Sequence, residues 1–216
     1  MSNRTFLVTR TRYDETMNYL FYWAGEVIKE AQKKDFDVID IKEEKVNKKD
    51  FVGRVKKTQP GLIYLNGHGN ADCISGHENQ ILLQVNNNED LLHGKIIYAL
   101  SCRSARIFGK SCINKGTRSY IGYDEDFMFL FEQDKITHPL EDQTAELFFK
   151  PSNLLVINLL KENTSGESFE RSQKEFRRNI RKLLASKSPQ DDKASIPYLL
   201  WDMTHQVCLG DRSAKL

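Results

Sequence analysis

Two almost wholly apolar segments, Leu62–Asn66 (LIYLN) and Lys95–Ser101 (KIIYALS), constrain the fold more than any other feature of the sequence. Both have the length of a strand, and neither alternates between polar and apolar residues as a strand with one wet face would. Such strands are typical of parallel sheets that carry helices on both faces. We therefore expect these two segments inside an α/β sheet.

The rest of the first two thirds of the chain alternates between strand and helix patterns. Strands are predicted at Thr5–Thr9, Phe36–Ile41 and Arg118–Tyr123, and helices at about Tyr13–Lys33, Lys48–Lys57 and Ser104–Asn114. Between the two apolar strands, the insert Cys73–Gly94 predicts a small hairpin and a capped helical turn. This order of elements indicates an α/β domain with a mostly parallel sheet.

Helical patterns dominate after the fifth strand. The predicted elements are a helix at Thr144–Leu160 interrupted by Pro151, a helix at Ser168–Ala185 capped by Ser165 or Ser168, a polar loop at Ser188–Ser195, and one or two closing strands within Tyr198–Gly210. The whole chain, residues 1–216, is expected to form a single domain, because 216 residues with 39% hydrophobic content suit one full core.

Composition gives no reason to expect nucleic acid or a membrane as a partner. Lys and Arg number 32 and Asp and Glu 30, a net charge of +2, and the basic stretch Glu175–Lys182 is interpreted as a solvated helix face. No apolar run reaches the roughly 18 residues that span a bilayer, and the first residues resemble neither a signal peptide nor an anchor. Because the cysteines are scattered, we expect free thiols in a reducing cytoplasm.

A histidine and a cysteine follow the two apolar strands. His68 comes after the first within Gly-His-Gly, and Cys102 comes after the second within Ser-Cys-Arg-Ser-Ala. The carboxyl ends of neighbouring parallel strands meet at one edge of a sheet, where ligands bind in open α/β folds. An imidazole beside a thiol can take its proton and yield a nucleophilic thiolate. The pattern predicts a Cys–His dyad that needs no cofactor.

The glycines beside His68 have a physical interpretation of their own. Gly67 and Gly69 allow positive φ and a close approach of substrate. The amides of Gly69 and of Cys102, the latter expected at the start of a helix, are candidate donors to an oxyanion.

Three other interpretations remain open. His68, Cys73, His77 and Cys102 have the chemistry of zinc ligands, although no paired Cys-x-x-Cys is present. The segment Asn66–Asn70 is glycine-rich, but it lacks the Lys-Ser/Thr of a phosphate-binding P-loop. The fold could also serve as a catalytically silent interaction module.

The two motifs YLNGHGN and ALSCRSA resemble the histidine and cysteine motifs of caspase-fold (clan CD) cysteine peptidases, within the gingipain-like and CHAT-type branch. The likeness continues through TRSYIGYDEDF and the helical region TAELFFKPSNLLVINLLKENTSGESFERS. The closing VCLGDRSAKL is similar to the Leu-x-Gly-Asp-Pro-Ser segment of gingipain-like domains, with Arg212 where proline is frequent.

This resemblance implies a three-layer α/β/α sandwich around a six-stranded, mostly parallel sheet. It also implies a thiol protease that hydrolyses peptide bonds, with Cys102 as nucleophile and His68 as general base and acid. The expected partners are a protein or peptide substrate and a regulatory or activating protein. The resemblance implies that no third catalytic residue is required.

The sequence offers two opposed clues to specificity. Asp124 and Asp126 follow the fifth strand and would select a basic residue before the scissile bond, whereas Arg10 and Arg12 follow the first strand and would select an acidic one. We favour basic specificity, because the acidic cluster follows the strand expected beside the nucleophile strand. Leu100 holds the position where relatives with basic specificity often have an acid.

Low activity in isolation is a further expectation. The aromatic residues of Asp124–His138 are either exposed as a surface for a partner or packed beneath their own loop. The first interpretation would make activity depend on a partner or on cleavage of the loop.

Overall fold

The computed structural model describes residues 4–185 and 193–216. Its strands are β1 (Thr5–Arg10), β2 (Asp37–Lys42), β3 (Leu62–Asn66), β4 (Gly69–Asn70), β5 (Cys73–Ser75), β6 (Ile81–Gln84), β7 (Ile96–Leu100), β8 (Ser119–Tyr123) and β9 (Gln206–Gly210). Its helices are α1 (Glu15–Gln32), α2 (Lys48–Thr58), α3 (Phe108–Asn114), α4 (Gln143–Leu159), α5 (Ser165–Leu184) and α6 (Ile196–His205).

A six-stranded sheet runs in the order β2-β1-β3-β7-β8-β9. Its strands pair in parallel except for β9, which lies antiparallel to β8 at one edge. β3 and β7, the two apolar strands, are neighbours at the centre, and every residue of both is buried. The predicted six-stranded, mostly parallel sheet is confirmed.

Side chains of each central strand alternate between two cores. Tyr64 and Tyr98 face the core that α1 and α4 cover, while Ile63 and Ile97 face the core that α2 and α3 cover. Helices on both faces of the sheet make three layers, as the fully apolar strands predicted.

Three predicted details of the helices are wrong. Pro151 lies inside α4 without ending it. The cap of α5 is Thr164, whose hydroxyl accepts from the Glu167 amide while the Glu167 carboxylate accepts from the Thr164 amide. The first part of the predicted closing strands is α6, which begins with Pro197 in its first turn and buries Leu199 and Asp202 at helical spacing.

The remaining predicted segments have different outcomes. The insert between the central strands forms the predicted hairpin of β5 and β6, which β4 extends to a three-stranded antiparallel sheet, followed by a helical turn at Glu89–Leu92. The predicted polar loop at Ser188–Ser195 lies mostly outside the described residues. Across residues 4–185 and 193–216, no helix is both long and apolar enough to span a membrane.

Candidate active site

His68 and Cys102 lie just beyond the ends of the two central strands. The β3–β7 register pairs Asn66 with Leu100, so each of the two residues comes two positions after a paired one. The segments Gly67–Asn70, here the histidine turn, and Ser101–Ile107, here the cysteine turn, therefore leave the same edge of the sheet side by side.

Gly69 brings the two turns into direct contact. A methyl group on its Cα would lie 2.1 Å from the Ser101 hydroxyl oxygen and 2.8 Å from the Cys102 carbonyl oxygen. At Gly67 it would lie 2.1 Å from the backbone oxygen of Ser75. Neither glycine has positive φ, so that part of the sequence interpretation is wrong. These glycines are needed because other parts of the chain itself come so close.

Asp14 holds the imidazole of His68. A carboxylate oxygen of Asp14, Oδ2, lies 2.7 Å from His68 Nε2, and both side chains are about one third exposed (36% and 35%). The other oxygen, Oδ1, accepts a hydrogen bond of 2.7 Å from the amide of Met17 and caps α1. One carboxylate thus starts a helix and orients the candidate base.

Asp14 is not among the site residues predicted from the sequence. A signal was present, since Asp14 follows β1 and β1 ends at the same edge of the sheet as β3. The end of β1 is tied to that of β3 because the Asn66 amide donates to the Thr9 hydroxyl at 3.0 Å. Proximity of Asp14 to a histidine 54 residues away, however, depends on how α1 leaves the sheet.

The ring of Tyr13 contacts the rings of both His68 and His77. The Tyr13 ring meets the His68 ring edge-on with centroids 6.2 Å apart, and the His77 ring at 5.4 Å. His77 Nδ1 lies 2.7 Å from the Thr11 hydroxyl oxygen. In the part of the chain that the structure describes, no three His, Cys, Asp or Glu side chains are grouped so that they could hold a metal ion.

The cysteine turn is not the start of a helix. α3 begins at Phe108 rather than at about Ser104, so the Cys102 amide does not lie at a helix N-terminus as expected. The Arg103 and Ala105 amides instead donate to the Glu125 and Tyr123 carbonyls, each at 3.0 Å. Arg103 itself has positive φ (56°), a conformation that costs energy for a residue with a side chain.

The thiol of Cys102 is held in its protonated form. Burial raises its pKa to about 11, and the negative charge of the nearby Asp126 carboxylate adds to that effect. A hydrogen bond from the Phe127 amide and the charge of Arg103 act in the opposite direction. At neutral pH the thiol therefore keeps its proton.

Both predicted acidic residues lie beside the cysteine turn. Asp126 Oδ1 is 2.8 Å from Arg103 Nε, and its backbone oxygen accepts from the Trp201 indole at 2.9 Å. Asp124 Oδ1 is 2.9 Å from His205 Nδ1. The structure thus brings Asp126 next to Cys102, whereas α6 holds Asp124.

The two predicted arginines have other partners. The Arg10 guanidinium is largely buried, donates to both carboxylate oxygens of Asp40, and lies over the Phe21 ring. Arg12 donates to Glu43 at 2.6 Å. These ion pairs fasten the end of β1 to β2 and to the residue that follows it.

The aromatic residues after Asp126 are packed rather than exposed. Phe129 lies 5.4 Å from Tyr19 and 4.7 Å from Phe149 between ring centroids, and Phe127 and Phe131 also pack on the core shared by α1 and α4. Of the two interpretations of this segment, the structure supports packing beneath the loop.

No family model matches the chain, and no curated protein matches it by sequence. Solved structures do. The Arg-specific cysteine proteinase gingipain R superposes with a TM-score of 0.65 at 10% identity, covering 99% of this chain and 47% of that one. A complex of Porphyromonas gingivalis RgpB pro- and mature domains gives a TM-score of 0.58 at 9% identity, with coverage of 99% and 48%.

These matches concern the fold and not the CHAT-type assignment, which stays a prediction. The chain spans about half the length of the gingipain chains that it matches. At identities this low the likeness carries no residue of the site across. It does establish that the chain has the caspase-like α/β fold of gingipain R over nearly its whole length.

Proposed function

We propose that this protein is a cysteine endopeptidase that uses Cys102 as nucleophile and His68 as general base and acid. The observation that carries the proposal is the contact at Gly69. It joins the histidine turn to the cysteine turn at the carboxyl edge of a parallel sheet, while Asp14 orients the imidazole.

The position of Asp14 beside Nε2 distinguishes the proposed roles of the two ring nitrogens of His68. With Nε2 donating to Asp14, Nδ1 is the atom that takes the thiol proton. The thiolate attacks the peptide carbonyl carbon, and the imidazolium returns the proton to the leaving amine as the C–N bond breaks. Water, deprotonated by His68, then hydrolyses the thioester. The amides of Gly69 and Cys102 are the proposed oxyanion donors.

Activity of this site is proposed to depend on a regulatory event. A buried thiol beside the Asp126 carboxylate, with a pKa of about 11, is a poor nucleophile at neutral pH. Movement of the segment Asp124–His138, by a protein partner or by cleavage, would expose the thiol to solvent, which favours its ionisation, and would loosen the pairing of Asp126 with Arg103, so that Asp126 becomes available to a substrate cation. The high pKa of the thiol is thus the support for regulation, in place of the exposed aromatic side chains that the sequence suggested.

The test is labelling and hydrolysis with peptides. A peptidyl chloromethyl ketone should label Cys102, and limited proteolysis within Asp124–His138 should increase both labelling and hydrolysis. Cys102→Ala and His68→Ala should each reduce hydrolysis about 1,000-fold or more. Matched controls are Cys208→Ala, a thiol on β9, and His138→Ala, an exposed histidine. Wild-type turnover in Cys102→Ala would contradict the assignment.

For specificity we propose a basic residue before the scissile bond, with Asp126 as its acceptor. Asp126 is half-exposed and is the carboxylate beside the thiol, whereas the guanidinium of Arg10 is occupied by Asp40. A substrate cation would replace Arg103 as the partner of Asp126. Fluorogenic peptides that differ only at this residue should be cut after Arg or Lys. Cleavage only after Asp would contradict the proposal.

A second candidate, a catalytically silent interaction module, rests on the protonated thiol of Cys102. Labelling with the peptidyl chloromethyl ketone distinguishes the peptidase from the silent module, when it is applied to protein that has been cleaved within Asp124–His138. A module would show labelling of Cys102 no faster than that of Cys208, and no dependence of either rate on His68.

A further inference from the structure

A strongly basic cleft lies between α4 and α5, and the proposed peptidase activity does not use it. Its volume is about 500 Å³. Its lining consists of Leu154, Asn158, Lys161, Arg171, Lys174, Glu175, Arg177, Arg178 and Arg181. Six cations against one carboxylate give the cleft a net charge of +5. Since the whole chain carries +2, all other residues together carry −3.

None of the residues that line the cleft belongs to the histidine turn or to the cysteine turn. α5 begins where the Ser165 amide donates to the Ala214 carbonyl at 2.8 Å. Ala214 follows Gly210, which pairs with Ser119, the first residue of β8. The amino-terminal end of α5 therefore lies at the edge of the sheet opposite to His68 and Cys102.

Two of the arginines are held by other residues that line the cleft. Arg171 Nη1 donates to Oδ1 of the buried Asn158 at 3.0 Å, and Arg178 Nη1 donates to the nearly buried Glu175 at 3.3 Å. Within the described residues, the other cations of the cleft form no ion pair. The cleft thus holds guanidinium groups in place while leaving most of its charge unneutralised.

We propose that this cleft docks an acidic segment of another protein, one that carries both carboxylates and a large apolar side chain. Four arginines present the planar fork that binds a carboxylate bidentately. Leu154 and the aliphatic stems of the Lys and Arg side chains offer an apolar floor between them. The net charge of +5 is complementary to such a segment and opposite in sign to the rest of the molecule.

The lining favours a protein segment over nucleic acid. Single strands bind on aromatic platforms, and none of the lining residues is aromatic. A duplex would need a long basic track, whereas this cleft is lined by only nine residues, all within residues 154–181. The interpretation of Glu175–Lys182 as only a solvated helix face is replaced by this proposal.

Fluorescence anisotropy with the intact chain tests the proposal. The probe is a short fluorescein-labelled peptide with Leu and Glu at helical spacing, and the control peptide has Gln in place of each Glu. The wild type should bind the Glu peptide at least about tenfold more tightly, and the difference should shrink as salt is added. Equal binding of the two peptides would overturn the proposal.

A matched pair of double variants separates the cleft from net charge. Arg177→Glu with Arg181→Glu should weaken binding of the Glu peptide about tenfold or more. Arg54→Glu with Lys57→Glu makes the same change of charge on the exposed face of α2 and should leave it within about twofold. Equal loss in both would mean attraction to overall charge and would refute a docking site.

Two further arms complete the design. Arg177→Gln with Arg181→Gln repeats the test without charge reversal, and circular dichroism melting confirms that each variant is folded. A labelled single-stranded oligonucleotide replaces the peptide in the last arm. Tighter binding of the oligonucleotide than of the Glu peptide would overturn the choice of a protein partner. The peptidase proposal can fail without affecting any of these results.

Discussion

The histidine half and the cysteine half of the candidate site are held in opposite ways. Asp14 binds Nε2 of His68 and leaves the other ring nitrogen, the proposed acceptor of the thiol proton. Burial of Cys102 and the charge of the nearby Asp126 both raise the pKa of its thiol. Under the proposed function, one carboxylate orients the base and the other helps to hold the nucleophile in its protonated, inactive form.

This difference shows where control of activity would act. The histidine half is built from the β1–α1 connection and from β4 and β5, which are hydrogen-bonded to one another through residues such as Ser75, whose amide donates to the His68 carbonyl at 2.8 Å. The cysteine half depends on the segment after β8. A regulator needs to move only that segment.

Among the changes that test this comparison while leaving His68 and Cys102 in place, the largest effect is expected when the histidine half loses its acceptor. Asp14→Asn keeps the cap of α1 through Oδ1, and its amide nitrogen then donates to His68 Nε2. That places the ring proton on Nδ1, so the ring no longer accepts the thiol proton. We expect kcat to fall about 100-fold, with KM and melting temperature near those of the wild type.

Asp14→Ala is the companion variant. It removes the cap as well, so it should also lower the free energy of unfolding by about 1 kcal/mol, measured by urea titration. Wild-type kcat in Asp14→Asn would show that His68 does not need this carboxylate.

A smaller effect is expected where the two halves touch. Gly69→Ala would place its methyl group 2.1 Å from the Ser101 hydroxyl and 2.8 Å from the Cys102 carbonyl, which forces the turns apart. We expect a loss of about 1–3 kcal/mol in stability together with reduced hydrolysis. Gly53→Ala on α2 meets nothing within 4 Å and should stabilise by about 0.5–1 kcal/mol. Equal stability of the two variants would contradict the contact.

The smallest effect is expected when the cysteine half loses the charge beside its thiol. Asp126→Asn removes a negative charge that raises the pKa of Cys102, so that pKa falls, while burial keeps it above that of an exposed thiol. Alkylation of Cys102 by iodoacetamide at pH 8, located by mass spectrometry, should become about three- to tenfold faster. Asp124→Asn, in which the lost partner is His205, is the control.

The same thiol gives a pH dependence in the wild type. Its alkylation should rise through about pH 11. Since the folded protein holds this proton more tightly than the unfolded chain, whose thiol has a pKa near 9.0, Cys102 lowers stability as pH rises from about 9 to 11. Alkylation that levels off near pH 8.5 would mean a freely exposed thiol.

The central sheet could be predicted from the sequence because strands that are buried on both faces appear as uninterrupted apolar segments. The segments LIYLN and IIYAL contain almost only apolar residues, and the rule that parallel strands share an edge then brought His68 and Cys102 together. The fold class, and the expectation that His68 and Cys102 follow neighbouring parallel strands, required no knowledge of how loops run.

What could not be predicted depends on tertiary contacts. Asp14 meets His68 only through the direction of α1, and Asp126 meets Cys102 only because the amides of the cysteine turn bond to the end of β8. The segment YLLWDMTH has strand-like composition, yet it is helical because Leu199 and Asp202 face the interior one turn apart. Pro197 in the first turn was the signal for that helix.

The basic cleft gives the molecule a very uneven distribution of charge, although its total charge is only +2. A protein binds an ion-exchange resin through its most highly charged surface. This protein should therefore bind a cation-exchange resin more firmly than its overall charge suggests. At low ionic strength, a face of +5 on one molecule also attracts the acidic remainder of the next. Concentrated solutions should therefore become turbid on dialysis into water and clear again when salt is restored.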